Sequence, residues 1–179
     1  HKLWNSNLVL KFKKLIFRSL FTNAVIFTVV IFSSFYDSWV PSERYLQKIE
    51  KNIPHLISVN EPIINLIYLS HDKICYYEIM EHDLRKGYLV IAKAPSKHYF
   101  FDFYVILDNQ RNIISVEILK YRENWGYEIS NKKWLRQFQK LYDSKLGSRH
   151  QVQAISGATI SVTSLCNYID KILDQLKSI

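Results

Sequence analysis

Glycine and proline each occur only four times in the 179 residues, cysteine twice and methionine once. Two cysteines cannot staple a chain of this length, so a disulfide scaffold is excluded. Cys75 and Cys166 lie far apart in sequence, and a bond between them stays open at this stage. The scarcity of glycine goes with the absence of the common glycine-built signatures. There is no G-x-G-x-x-G, no phosphate-binding P-loop and no G-x-S-x-G, and H-E-x-x-H is also missing. The six histidines do not pair at i, i+3 or i, i+4, so no metal site is written locally. No internal repeat and no low-complexity tract is visible.

Acidic residues are missing from the whole first part of the chain, up to Asp37. Five of the 24 basic residues lie in the first 18 positions: Lys2, Lys11, Lys13, Lys14 and Arg18. The rest of the chain then carries 19 basic against 16 acidic residues, although the formal net charge is +8. A mild excess spread over a domain reads as a solvated surface, not as a stripe for nucleic acid. Long apolar runs are scarce too. Mean hydropathy is −0.10, and only the stretch from Ser19 to Tyr36 is both long and uncharged, which excludes a multi-pass membrane protein. With 48% hydrophobic and 15% aromatic residues the chain can still bury a core, so disorder is excluded as its main state.

The uncharged stretch reads as a membrane anchor. Its 18 residues at 1.5 Å rise span roughly 27 Å, just adequate for the hydrocarbon core. A cleavable signal would place small residues after the stretch. Here Ser33-Ser34-Phe35-Tyr36-Asp37-Ser38-Trp39 follows, with bulky aromatics. The expected division is therefore a basic cytoplasmic segment over 1–18, a transmembrane anchor or signal segment over 19–38, with an uncleaved anchor favoured, a juxtamembrane connector over 39–62 and a folded domain over 63–179. The basic flank places the folded domain on the extracytoplasmic side.

Within the connector, Ser42 with Tyr45, Leu46, Ile49 and Ile53 predicts a capped amphipathic helix. Five short runs rich in aromatic and β-branched residues predict strands over 63–69, 74–80, 87–94, 100–107 and 113–120. Asp108 to Asn112 supplies a hairpin connection. In the last run Ile114, Val116 and Ile118 alternate with Ser115, Glu117 and Leu119, which predicts one more exposed face. Trp134, Leu135, Phe138 and Leu141 predict one helix, and Leu165, Ile169, Ile172, Leu173 and Leu176 another. The fold class is α+β, a mainly antiparallel sheet with helices packed on it, preceded by one N-terminal transmembrane helix.

Glycine supplies the sharpest functional clue. Gly126 and Gly157 sit in two unusual contexts, Tyr121-Arg-Glu-Asn-Trp-Gly-Tyr-Glu128 and Ile155-Ser-Gly-Ala-Thr-Ile-Ser161. In the second, small residues open an amphipathic helix and Thr159 presents a hydroxyl beside free helix N–H groups. That is a seat for a phosphate. The plainer reading of the same residues is a helix cap by Ser156 or Thr159.

Ser156-Gly157-Ala158-Thr159 resembles the flavinylation motif of FMN-binding domains. Such domains occur in the C subunit of the sodium-translocating NADH:quinone oxidoreductase, in the G subunit of the Rnf complex and in small extracytoplasmic flavoproteins. In that family the final threonine carries FMN through a phosphoester bond, installed from FAD by a magnesium-dependent flavin transferase. The resemblance implies this role for Thr159. About 35 residues upstream the family has a Glu-Thr-Pro-Gly-Leu-Gly-like loop against the flavin ring. Glu123-Asn124-Trp125-Gly126-Tyr127-Glu128 stands in that place, with Glu123 and Gly126 retained. Trp134 to Phe138, Gly87-Tyr88 and Ala94-Pro95 are similar to further family segments, so the resemblance spans about residues 74–175.

It implies FMN as cofactor, with Thr159, Ser156, Gly157, Ala158, Glu123, Asn124, Trp125, Gly126 and Tyr127 around it. Asn124, Trp125 and Tyr127 depart from the family pattern and imply a more aromatic ring pocket. Gln153 stands where the family usually has an acidic residue, a change that bears on recognition by the transferase. The implied function is a membrane-anchored, extracytoplasmic electron carrier working between redox partners. Two other readings are a flavin-dependent reductase of a small substrate, with Tyr121, Arg122, Glu123 or Glu128 as acid or base, and a non-redox tethered interaction module.

Overall fold

Runs rich in β-branched and aromatic residues pair in the order in which they occur along the chain. The computed structural model describes residues 39–141 and 152–178. The expected transmembrane segment lies outside the described residues, and among the described residues no helix is long and apolar enough to cross a membrane. Strands β1 (Ile63–Ser70), β2 (Ile74–Glu81), β3 (Leu84–Pro95), β4 (Phe100–Asp108) and β5 (Ile113–Lys120) form one antiparallel sheet in the order β1-β2-β3-β4-β5. Each run expected to be a strand is one. Tight connections join successive strands, so long-range loop closure contributes little to the cost of building the sheet.

The inner strands β2 to β4 are almost continuously buried, because both faces of the sheet are covered. On one face Tyr76, Val90, Phe103 and Val105 pack against Leu165, Ile169 and Ile172 of the long helix α5 (Thr159–Leu176). Two short helices, α3 (Lys132–Leu135) and α4 (Gln137–Leu141), add Trp134, Leu135 and Phe138 to that core. On the other face Cys75, Tyr77, Leu89 and Tyr104 pack with Ile49 and Ile53. Those two come from α1 (Glu43–Glu50) and α2 (Ile53–Ile57). The architecture is α+β, as expected.

Three local expectations are corrected. The stretch 132–141 is two helical pieces, not one. Trp134, Leu135 and Phe138 still share one core, and Trp134 stacks edge-on to Phe138 at 5.5 Å. In β5 the simple alternation fails. Leu107 pairs with Ile113 while Ile106 pairs with Ser115, so Ile114 is skipped. This bulge puts Ile113 and Val116 in the core shared with α3, α4 and α5 and turns Ile114 to the opposite face. Ser42 starts α1 without a side-chain cap.

The two cysteines form no disulfide and are buried, in the cores on opposite faces of the sheet. Burial pushes the Cys75 thiol up to about 12, which makes it a poor nucleophile.

Candidate functional site

The site forms where three loops meet at one end of the sheet. The first follows β3, the second follows β5, and the third leads into α5. One partly buried ion pair and one buried carboxylate fix the first two.

Asp102 on β4 is 2% exposed. It receives two hydrogen bonds from the Arg122 guanidinium, at 3.1 and 2.6 Å, and one from the Tyr45 hydroxyl at 2.9 Å. Arg122 also donates to the Phe100 carbonyl at 2.7 Å. The carboxylate holds the guanidinium pKa above its ordinary value. This two-pronged geometry orients the chain leaving β5. The next residue, Glu123, is buried, and its Oε1 accepts from the backbone N–H groups of His98 and Tyr99 at 2.7 and 3.1 Å and from the Ser96 hydroxyl. One carboxylate oxygen thereby folds the 96–99 turn over the end of the sheet.

These bonds to Ser96 and His98 hold the Glu123 carboxyl below its ordinary value. A carboxyl with a lowered native pKa contributes stability that is complete above its ordinary range near 4.5 and is lost as pH falls through the native value. Glu123→Gln should therefore flatten the acid limb of the stability–pH profile and leave the slope above neutrality unchanged. Chemical denaturation across pH 3–7 (about that range) checks this, and an acid limb identical to wild type would count against it.

The third loop carries the Ser-Gly-Ala-Thr sequence. Gly157 has φ of +77°, a conformation that L side chains rarely adopt. Ala158 occupies the N-cap position of α5 and Thr159 is the first helical residue. No side chain caps the helix, so neither Ser156 nor Thr159 fulfils the plainer capping role. The Ala158 N–H bonds the Ile155 carbonyl, and the first α-helical bond runs from Val162 to the Ala158 carbonyl. The N–H groups of Thr159, Ile160 and Ser161 are the ones an α-helix leaves without intrahelical partners.

Gly126 locks this loop to the second. Its φ is +76°, and a Cβ placed on it would lie 2.5 Å from the Ala158 Cβ and 3.1 Å from the Ala158 Cα. Only glycine at 126 lets the two loops touch. Gly126→Ala should destabilise the domain by about 2–4 kcal/mol, combining left-handed strain with overpacking. Urea denaturation checks this, and a change below about 0.5 kcal/mol would contradict the interlock.

A cavity of about 510 Å³ lies between the loops. Asn124, Trp125, Gly157, Ala158, Thr159 and buried Glu123 line it, and these are six of the nine residues expected around the cofactor. The other three lie beside it. Gly126 lies beneath, against Ala158. Ser156 lines a neighbouring cavity with Gln153, Glu128 and Trp134. Tyr127 is one layer back, its ring edge-on to Tyr121 at 5.9 Å. The main chain at Gln153 is pinned, since its N–H donates to Gln137 at 2.8 Å and its carbonyl accepts from the Trp134 indole at 2.9 Å.

The cavity also has walls that sequence reasoning missed, namely Lys97, His98 and Tyr99 from the 96–99 turn, and Ile160 and Ser161 from α5. Tyr121, weighed only as an acid or base, is a wall as well, and its hydroxyl sits 3.0 Å from the Ser161 hydroxyl. Burial raises the Tyr121 pKa, so the phenol is neutral at physiological pH. The only sequence signal for the turn is Ala94-Pro95 at the end of β3.

Thr159 and Ser156 are exposed hydroxyl residues, whereas Ser161 is 2% exposed and engaged by Tyr121. Thr159 therefore presents an accessible hydroxyl at a helix N-terminus that no side chain has capped, beside a cavity with aromatic walls and two basic side chains. The volume lies in the range of roughly 300–1,000 Å³ typical of small-molecule and cofactor sites. A phosphate against the helix N–H groups and a flat ring against Trp125 suit these walls.

No curated protein matches this chain. Residues 99–174 match the family model of the FMN-binding domain, a stretch running from the cavity wall at Tyr99 through most of α5. It includes Glu123, Trp125, Gly126 and Ser156-Gly157-Ala158-Thr159. Residues 99–174 are thus similar to the FMN-binding domain, and this match supports FMN as the cofactor.

Proposed function

We propose that this protein is a membrane-anchored, extracytoplasmic electron carrier with FMN bound covalently to Thr159. The observation that carries the reading is the accessible Thr159 hydroxyl at the uncapped start of α5, on the wall of the cavity. In the attachment step the Thr159 oxygen bonds the FMN-side phosphorus of FAD, the pyrophosphate bond breaks, AMP leaves and the hydroxyl proton is lost. A flavin transferase catalyses this step. The resulting phosphodiester carries one negative charge, which the helix N-terminus stabilises by about 0.3–1 kcal/mol. Bound FMN supplies the redox chemistry, and the protein supplies orientation and electrostatics.

A tethered cofactor suits a domain outside the cytoplasm, where a noncovalently held flavin would be lost by dilution. The basic segment before Ser19 and the uncharged run to Tyr36 support anchoring with the folded domain extracytoplasmic. Redox proteins of the same membrane are the expected electron partners.

The carrier reading is tested with the flavinylated full-length chain in native membrane vesicles. Bleaching of the flavin absorbance by a respiratory electron donor, and its recovery with an acceptor, is the expected result. Flavin that stays oxidised under all membrane donors would contradict it, and turnover of a small acceptor without any partner protein would favour a reductase. Trp125 is 77% exposed on the cavity wall, which supports a position for it against the ring. Trp125→Ala should therefore change flavin fluorescence and reduction potential while leaving the covalent mass increment intact. Unchanged spectra would remove Trp125 from the ring site.

A further inference from the structure

Large apolar side chains left in water at one place mark a contact surface. Tyr99, Phe100, Trp125, Tyr127 and Ile160 are all 41–77% exposed and gather around the mouth of the flavin cavity. Tyr99, Trp125 and Ile160 line the cavity itself, Phe100 follows Tyr99, and Tyr127 packs on the wall residue Tyr121. Basic side chains interleave with them. The Lys73 and Lys93 ammonium groups lie over the Phe100 ring at 5.2 and 5.8 Å, and Lys97 and His98 line the cavity. From Lys93 to Phe101 the chain has no acidic residue. Tyrosine and tryptophan with flanking lysine is the composition that settles at the lipid headgroup level.

The start of the described chain lies at the same end of the sheet. Trp39 follows almost directly on the uncharged run that ends at Tyr36. Its ring lies 5.9 Å from the Lys93 ammonium, the one that also lies over Phe100, and its carbonyl accepts from the Cys75 thiol at 3.6 Å. Trp39, where the described chain begins, therefore lies on the Lys93 and Phe100 side of the cavity rim. The opposite end of the sheet, at Leu84, is separated from Pro95 by the whole length of β3, roughly 35 Å at a strand's rise per residue.

We propose that this aromatic and basic rim seats on the headgroups of the bilayer that holds the chain, so that the flavin cavity opens at the membrane surface. The proposal rests on the membrane-anchored reading above. Aromatic rings enter the interfacial region, and the lysines are drawn to anionic lipid. A domain tethered at this end needs only a short connector to reach that contact, and the contact excludes water from the cavity mouth.

The test uses the full-length chain in vesicles of phosphatidylcholine and phosphatidylglycerol that hold no other protein. A fluorophore is placed at Tyr127→Cys or Ile160→Cys on the rim, or at Leu84→Cys on the far end. Cys75 and Cys166 are buried and stay unlabelled under native conditions. A headgroup-labelled quencher lipid reads proximity. Quenching at both rim positions, little at Leu84→Cys, and loss of rim quenching in a Lys73, Lys93 and Lys97→Gln variant is the expected result. Equal quenching at the two ends, or quenching only at the far end, would overturn the docking. Rim protection that needs an added membrane protein would overturn it too and assign the surface to a protein partner. Flotation of the same samples reads the anchor separately. A chain that floats without rim quenching refutes the docking alone, and a chain that does not float refutes the anchor and the docking with it.

Discussion

Thr159→Ala should yield a folded protein that retains no flavin after denaturation. Alanine removes the only atom that can form the phosphoester, and it is compatible with the first position of a helix. Because Thr159 makes no capping bond in α5, its loss costs less than the roughly 1 kcal/mol of a broken cap. Far-ultraviolet circular dichroism and the denaturation midpoint should therefore stay close to wild type while covalent flavin falls to background. Ser156 is the rival most able to complicate this result, being exposed three residues away. Ser161 is buried against Tyr121 and Ser164 is buried in α5, so neither hydroxyl is open to a second enzyme. Flavin persisting on Thr159→Ala after denaturation would move the attachment point to another residue.

Arg122→Met should be the most destabilising single change near the site, by about 3–5 kcal/mol, the cost of leaving one partner of a buried ion pair alone. The buried Asp102 carboxylate would keep only the Tyr45 hydroxyl, and the Phe100 carbonyl would lose its donor. The reverse change, Asp102→Ala, should cost less, because the Arg122 side chain is 27% exposed and water can solvate its charge. Urea denaturation of the two variants gives the order. A loss below about 1 kcal/mol for Arg122→Met would place this pair among ordinary surface ion pairs. The double variant should be less destabilised than the sum of the two, since the bond can be lost only once.

The sheet was legible because each strand is a short apolar run between polar turns, and because consecutive strands pair. The long helix was legible for a similar reason, as Leu165, Ile169, Ile172 and Leu173 repeat at helical spacing and all face the core. The β5 bulge was not legible, because it depends on which partner in β4 each residue meets. The cavity shows the same division. Its motif residues at 123–126 and 156–159 could be named because they stand in contiguous segments that resemble the motifs of FMN-binding domains. The 96–99 wall could not, because it is drawn in by Glu123 across 24 to 27 positions of chain. The interlock of Gly126 with Ala158 is likewise a contact between two loops, visible in sequence only as two small residues. Ser156 and Tyr127 stand in the right segments, yet Ser156 lines the neighbouring cavity and Tyr127 packs on Tyr121 behind the wall.

The most direct measurement is mass spectrometry of the wild-type chain purified from a host that has the flavin transferase, followed by peptide mapping. The denatured protein should carry one added FMN less one water, and the modified peptide should fragment with the increment on Thr159. An unmodified chain, or FMN located on Ser156, Ser161 or Thr163, would contradict it.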